Sequence, residues 1–387
     1  MFISASAIIK ETFSRLSGRR LGELIVEQLG RCPKACWLFC APAPGLQDLL
    51  LGIREVIGTN TLVGCTTDGE ISTAGFSTAS AVLAGIFADR IVFSVASVCN
   101  LGRDSEVAGR KLAELLPTNV SYVQIFSDGL TGNGSAIARG MGTVLGAHVP
   151  IAGGTAGDSG RFEHTMQFLG TKVMTDAVVA IGFSGDFHVG TGVRSGWSPV
   201  GTPKRVTRAS GNVLYELNGR PALELYDRFL GKHADELPGV GVEYPLSVVD
   251  HDGQVNGEDF YLLRAMMSVD RANGSISFSG DISEGALTRI SFGDRPSILA
   301  GAEQAAQLAL DDLPNVRPAM VFFFSCMARK MVLGHRTPEE IEVLRNVFGA
   351  DIPMIGFYTY GGYSRINRGG PSLLHNEAAI LSVIGVP

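Results

Sequence analysis

Short apolar runs alternate with polar, glycine-rich turns along this chain, and three of these alternations share one layout. An apolar run that ends at turn residues is typical of a buried strand. This pattern predicts strands over residues 37–40, 122–126 and 320–324.

A helix and a second strand are predicted to follow each of these strands. The apolar spacing predicts helices over 46–57 and 134–145. A third helix is expected from Thr337, whose hydroxyl suits an N-cap and which precedes a proline and two acids. The second strands fall at 61–63, 149–151 and 353–358. Strand–helix–strand units of this length predict parallel pairs joined by right-handed crossovers.

A glycine-rich turn follows each predicted crossover, at residues 64–70, 153–158 and 356–362. Open α/β sheets bind ligands at the carboxyl ends of parallel strands, and glycine allows a ligand close to the backbone. We therefore expect the three turns to meet at one cleft, lined in part by Asp68, Asp158 and Tyr358. Tight turns with no ligand remain the alternative for any one of them.

The remaining patterns complete the predicted fold. Further strands are expected at 81–87, 91–98, 165–169, 177–183 and 379–384, and further helices at 221–230 and 297–310. The hairpin-type pair Asn218-Gly219 marks the expected domain boundary. The prediction is an α/β protein of two packed domains, 1–218 and 219–387. It has mixed, partly parallel sheets arranged as a layered α/β sandwich.

Composition narrows the class of protein. The 387 residues are 45% hydrophobic and carry a net charge of -6. Mild acidity without a basic cluster argues against nucleic-acid binding, and no apolar run is long enough to predict a membrane span. Sparse cysteines, and no basic region ahead of an apolar one at the start of the chain, favour a soluble, cytoplasmic protein. No phosphate-loop motif is present.

These motifs, taken together, resemble the FIST family of two-part sensory modules over nearly the whole chain. The first half matches at GCTTDGEI (64–71), FSDGL (126–130), GGTAGD (153–158), GWSPVG (196–201), VTR (206–208) and LYELNGRPAL (214–223). The second half matches at YPL (244–246), GDISEG (280–285), SC (325–326), Arg329, GFY (356–358) and LHN (374–376). The chain departs from the family pattern at Ala328, Gly362 and the Glu377-Ala378 pair.

The resemblance implies a small-molecule sensor that acts through a partner signalling protein. Amino acids are one implied ligand class. Haem is the other implied ligand, because one branch of the family resembles haem-binding nitric-oxide sensors that control a histidine kinase or a cyclic-di-GMP enzyme. On that branch we expect haem b with His375 as axial ligand, with His164 and His188 as alternatives. The sequence leaves open whether two copies of the chain form a homodimer.

The predicted ligand-binding residues lie mainly in the last third of the chain. Arg329 is expected to pair with a carboxylate or haem propionate through its guanidinium fork. Tyr358 and Asn376 are expected to add directional hydrogen bonds. The full predicted set is Asp68, Asp158, Cys326, Arg329, Tyr358, His375 and Asn376.

Two other functions remain open from the sequence. One is a hydrolase or transferase with Cys326 as nucleophile and His375 as base, which requires contact between them and a lowered thiol pKa. The other is a scaffold protein with a cleft but no signalling ligand.

Overall fold

The protein is a mixed α/β protein, as predicted, built from three similar α/β units and one inserted β-sheet. A computed structural model describes residues 1–249, 254–255, 258–259 and 261–386. Each unit contains one of the three predicted crossovers.

The first two units follow each other along the chain. The first contains β1 (Phe2–Ile9), α1 (Arg15–Leu29), β2 (Ala35–Cys40), α2 (Leu46–Ile57), β3 (Leu62–Thr66), β4 (Glu70–Ser72), β5 (Gly75–Ser77) and β6 (Ala81–Ala88). The second contains β7 (Ile91–Cys99), α3 (Ser105–Glu114), β8 (Tyr122–Ser127), α4 (Gly134–Leu145), β9 (Ile151–Thr155), β10 (Gln167–Leu169), β11 (Lys172–Met174) and β12 (Ala177–Gly185).

The third unit is interrupted after its first strand, β13 (His188–Arg194). The insertion contains β14 (Ser198–Ser210), β15 (Val213–Leu217), β16 (Arg220–Pro221), α5 (Leu223–Leu230), β17 (Leu246–Val249), β18 (Gln254–Val255), β19 (Glu258–Asp259), β20 (Leu262–Arg264), β21 (Met266–Asp270), β22 (Ser275–Phe278) and β23 (Leu287–Phe292). The unit resumes with α6 (Arg295–Asp312), β24 (Arg317–Cys326), α7 (Met327–Leu333), α8 (Thr337–Phe348), β25 (Met354–Thr359), β26 (Gly362–Arg365), β27 (Ser372–His375) and β28 (Ala379–Val386).

The parallel pair of each crossover forms as the sequence predicts. β2 pairs with β3, β8 with β9, and β24 with β25, all in parallel register. One glycine of each second strand lies against the neighbouring backbone. A Cβ on Gly64 would lie 1.7 Å from Leu38 O, and one on Gly356 would lie 1.7 Å from Phe323 O. Only glycine allows this approach, which explains why the turns begin with it.

The three units exchange hairpins around a pseudo-threefold arrangement. Hairpin β10–β11 of the second unit extends the sheet of the first by pairing with β3. Hairpin β26–β27 of the third extends the second by pairing with β9. Hairpin β4–β5 of the first extends the third by pairing with β25. The units are therefore interlocked.

Equivalent aromatic side chains meet where the three sheets face one another. Phe39, Phe126 and Phe324 come near the ends of β2, β8 and β24. Their ring centroids form a triangle with sides of 5.1, 6.0 and 6.3 Å. All three rings are fully buried, so burial of aromatic area stabilises the joint between units.

Helices cover the outward faces of the three sheets. α1 and α2 pack on the first, α3 and α4 on the second, and α6 and α8 on the third. The spacing-based bounds of α2 and α4 are confirmed, and β10 falls within the strand expected at 165–169. β1, α1, α3 and the exchange of hairpins between units were not predicted. Residues 327–333 form α7, a helix that was not predicted, and Thr337 is the first residue of α8 rather than its N-cap.

The domain boundary expected at residues 218 and 219 falls in the turn between β15 and β16 of the inserted sheet. The two-domain division stays a prediction. No helix in the described part of the chain is long and apolar enough to cross a membrane.

Candidate functional site

The three glycine-rich turns meet, as the sequence predicts, at the carboxyl ends of the parallel strands. Asp68 N donates to Tyr358 O at 2.9 Å, which joins the first turn to the third. Gly157 N donates to Thr66 O at 2.9 Å, which joins the second to the first. Thr155 N donates to Gly361 O at 2.7 Å, which completes the ring. The turns pack directly on one another, and Asp68, Asp158 and Tyr358, which were expected to line a cleft between them, do not line the cavity found beside them.

Asp68 is neutralised within this junction. Its Oδ2 lies 2.6 Å from Nζ of Lys330, which comes from α7 and remains partly exposed. Burial raises the pKa of Asp68, and the Lys330 ammonium opposes that rise. Its side chain therefore ties the first turn to the third unit.

Asp158 is saturated with hydrogen bonds. It accepts the hydroxyl of Tyr360 and three backbone N–H groups from residues 162–164, at 2.7 to 3.0 Å. Burial raises its pKa, but these hydrogen bonds outweigh burial and leave the pKa lowered. Asp158 thus stabilises the second turn as an ionised carboxylate.

The best-formed cavity lies beside the junction, between the third unit and the inserted sheet. It has a volume of about 370 Å³, which is within the ordinary range for a small-molecule site. Its walls are the end of β13 with the chain that follows, one face of α6, and the turn between β27 and β28. Its lining includes Arg194, Ser195, Trp197, Ser198, Tyr261, Leu263, Ser297, Ala300, Gln304, His375, Asn376 and Ala378.

Two of the predicted residues, His375 and Asn376, line this cavity. His375 Nε2 lies 3.0 Å from Ser364 O, and burial lowers the pKa of the imidazole to about 4. His375 is therefore neutral at physiological pH. Asn376 is buried, and its Oδ1 accepts no hydrogen bond from any described residue. Its Nδ2 reaches Tyr360 O at 3.4 Å, so it contacts both cavity and junction.

Arg329 and Tyr358 lie behind the cavity wall rather than on it. Arg329 is fully buried, with its guanidinium 2.6 Å from a carboxylate oxygen of Glu340. Tyr358 donates its hydroxyl to the other oxygen of Glu340 at 2.6 Å. The expectation that Arg329 pairs with a ligand carboxylate is corrected by this contact, because a carboxylate of the chain already occupies its fork.

Arg329 instead positions the cavity wall. It donates to Ser195 O and, at 2.7 Å, to Ile298 O. Ser195 lines the cavity, and Ile298 follows Ser297, which also lines it. The ion pair thus fixes two wall segments that come from different parts of the chain.

Cys326 does not fit the nucleophile hypothesis. Its side chain is 3% exposed, and burial raises the pKa of its thiol to about 12. A catalytic cysteine needs an accessible thiolate, whereas this one is a protonated thiol inside the protein.

The residues around the cavity do not fit a haem group. A haem needs a wide apolar slot with a histidine facing it, whereas this lining contains three serines, two side-chain amides and one guanidinium. His164 is exposed, and His188 lines a different hollow at the other end of β13. No cluster of three or more metal-ligating side chains occurs among the described residues. Haem b stays an untested prediction.

Arg194, Tyr261 and one face of α6 line the cavity although no motif in the sequence predicts a site there. The GWSPVG motif (196–201), noted above as a match to the family, supplies three of the lining residues. Glu377, noted as a departure from the family pattern, is fully buried, and neither carboxylate oxygen accepts a hydrogen bond from a described residue. Burial raises its pKa to about 8.

Comparisons with known proteins match most of the chain to one family. The FIST N domain matches residues 34–220, and the FIST C domain matches residues 222–365. An uncharacterised protein of Methanocaldococcus jannaschii is 28% identical over 234 residues, which cover 57% of this chain and 45% of that protein. An uncharacterised protein of Mycobacterium tuberculosis is 28% identical over 236 residues, or 60% of each chain. The chain thus spans about half the length of the curated relatives it matches.

Among solved structures, a cyanuric acid hydrolase from A. caulinodans aligns over 100% of this chain and 99% of its own. The identity is 11% and the TM-score is 0.34. A second cyanuric acid hydrolase structure aligns at 12% identity with the same TM-score, over the whole of both chains. The two family domains cover well over half of the sequence. The chain therefore belongs to the FIST family, whose domains are sensory, ligand-binding domains of signalling proteins.

Proposed function

We propose that the protein senses a small polar metabolite bearing a carboxylate, bound in the cavity between the third unit and the inserted sheet. The observation that carries this proposal is the lining of that cavity. It combines one guanidinium, several hydroxyls and a buried amide, with no acidic side chain among the described lining residues.

The hydrogen-bond donors of the lining suit an anionic group. Arg194 brings a guanidinium to the lining, whereas His375 is neutral at physiological pH. Ser195, Ser198 and Ser297 add hydroxyl groups that can donate to carboxylate oxygens. Asn376 Oδ1 adds an acceptor for a ligand N–H group. An amino acid or a similar small metabolite meets both requirements.

The position of the cavity suits a sensor. A bound molecule would contact α6 and the turn before β28 on one side and the inserted sheet on the other. Binding at such a boundary favours whichever relative arrangement of the two parts contacts the ligand best. A partner signalling protein, such as a histidine kinase or a cyclic-di-GMP enzyme, would then detect that arrangement.

Thermal unfolding with a panel of amino acids, dicarboxylates and uncharged analogues tests the proposal. A ligand at a hundred times its Kd stabilises the folded protein by about 2.7 kcal/mol, so a true ligand produces a clear rise in Tm. Ala300→Trp, at an exposed cavity position, fills the site and should abolish that rise. Glu303→Trp, an exposed α6 position outside the lining, is the matched control and should keep it.

Two results would overturn the proposal. One is a panel in which no carboxylate raises Tm. The other is a ligand whose effect is the same in Ala300→Trp and in Glu303→Trp. An absorbance spectrum of the same preparation, with and without nitric oxide, tests the haem prediction, because a Soret band that is lost in His375→Ala would establish haem instead.

A further inference from the structure

We propose a second binding site, for the phosphate group of a small molecule, at the opposite end of β13 from the cavity. A hollow of about 330 Å³ lies there, between β13, the end of α6 and the end of β26. Its lining includes Ser121, His148, His188, Asp312, Arg365 and Arg368. This site is independent of the carboxylate sensor proposed above.

Arg365 is the preformed part of this site. The residue is 6% exposed, yet it lines the hollow. Its Nε donates to the Thr191 hydroxyl at 3.0 Å, and its Nη2 donates to Asp312 at 2.6 Å. Its third nitrogen, Nη1, donates no hydrogen bond to a described residue. The guanidinium is thus held in place by two partners with one nitrogen left to bind an oxyanion.

The acid in the lining is already paired. Asp312 accepts the backbone N–H of Thr191 at 3.0 Å in addition to the Arg365 contact. Arg368 lies farther away, with Nε 3.9 Å from the Asp312 carboxylate, and its side chain is 77% exposed. Two arginines against one aspartate leave a net charge of +1 before either histidine is counted.

The remaining donors suit a phosphate better than a carboxylate. A phosphate presents three oxygens in different directions, and arginine is the side chain best shaped to bind them. The imidazoles of His148 and His188 add ring N–H groups on the same hollow. Arginines and imidazoles can therefore approach separate oxygens of one phosphate.

The two cavities are distinct and joined by one strand. His188 begins β13 at the phosphate hollow, and Arg194 ends it at the carboxylate cavity. At the usual rise of a strand, these ends are about 20 Å apart. Filling one cavity therefore leaves the other open.

Isothermal titration of the full chain with inorganic phosphate tests the proposal, with potassium chloride at equal ionic strength as the salt control. We expect phosphate to bind and chloride to produce no comparable heat. Arg368→Gln, a change at an exposed position, should weaken phosphate binding roughly tenfold. Arg317→Gln removes an exposed arginine outside the hollow and should leave binding unchanged.

A second arm identifies the source of the phosphate. The same titration is repeated with adenosine monophosphate. If it binds more tightly than inorganic phosphate, and Arg368→Gln weakens the binding of both by the same factor, the natural ligand is a nucleotide. If the two bind with equal affinity, the natural ligand is free phosphate. Ala300→Trp should bind phosphate normally, so this site can fail while the sensor proposal stands. Absence of phosphate binding, or equal weakening by Arg368→Gln and Arg317→Gln, would overturn the inference.

Discussion

Replacing Arg329 by alanine tests whether this residue positions the cavity wall or binds the ligand. The change removes a guanidinium that is fully buried against Glu340. It also removes the side-chain hydrogen bonds that Arg329 donates to Ser195 O and Ile298 O. The Glu340 carboxylate would remain buried, with only the hydroxyls of Tyr358 and Ser325 to solvate it.

The expected cost follows from that unpaired charge. Removing one partner of a buried ion pair typically costs about 3 to 5 kcal/mol, because the other charge stays in the interior. Arg329→Ala should therefore lower the free energy of unfolding by about that amount. Glu340→Gln in the same background removes the stranded charge and keeps an acceptor for Tyr358, so it should recover part of the loss.

Urea denaturation of the wild type, both single variants and the double variant gives the coupling energy. We expect the double variant to be more stable than the sum of the single losses predicts, by about 1 to 3 kcal/mol. A ligand contact would behave differently, since losing it would abolish binding with little effect on unfolding. An Arg329→Ala protein that keeps wild-type stability but binds no ligand would refute the positioning role.

Three further predictions concern buried groups and close packing. Iodoacetamide at pH 7.5 should label the two exposed cysteines of the native protein and leave Cys326 unlabelled until the chain is unfolded. Mass spectrometry measures the labelling of each cysteine. Rapid labelling of Cys326 in the native protein would restore the nucleophile hypothesis. Because the pKa of Glu377 is raised from 4.5 to about 8, its carboxyl group keeps in the folded state a proton that the unfolded chain loses. The contribution of Glu377 to stability should thus fall between pH 4.5 and 8, by up to about 1.4 kcal/mol per pH unit; Glu377→Gln should remove that fall, and a stability difference between wild type and variant that does not change with pH would contradict the assignment. Gly192→Ala on β13 should lower Tm by several degrees, because its Cβ would lie 1.9 Å from a carbonyl oxygen of α6. Gly142→Ala, in a helix with open space around it, should raise stability by about 0.5 to 1 kcal/mol; equal effects of the two changes would contradict this packing.

Much of the local structure could be predicted because it depends on local patterns. Apolar residues at helical spacing define the face that packs on a sheet, so the bounds of α2 and α4 could be predicted from sequence. Apolar runs ending in glycine likewise predicted the crossover strands and their turns. The threefold repetition of these signals also predicted that the turns would meet.

The site depended on contacts that no local pattern contains. Glu340 has the signature of an acid in the first turn of an exposed helix, yet it lies fully buried against Arg329. A buried charge needs a partner, and only the packing of α8 against α7 and the end of β24 brings that partner within reach. The inserted sheet is a second example, because its approach to α6 creates the cavity that holds His375 and Asn376. The sequence alone determined the strands, helices and turns of the three crossovers, because periodicity records which face of each is buried. The tertiary structure alone decided which polar side chains form ion pairs inside the protein and which line an open cavity, because that depends on how the three units and the insertion assemble.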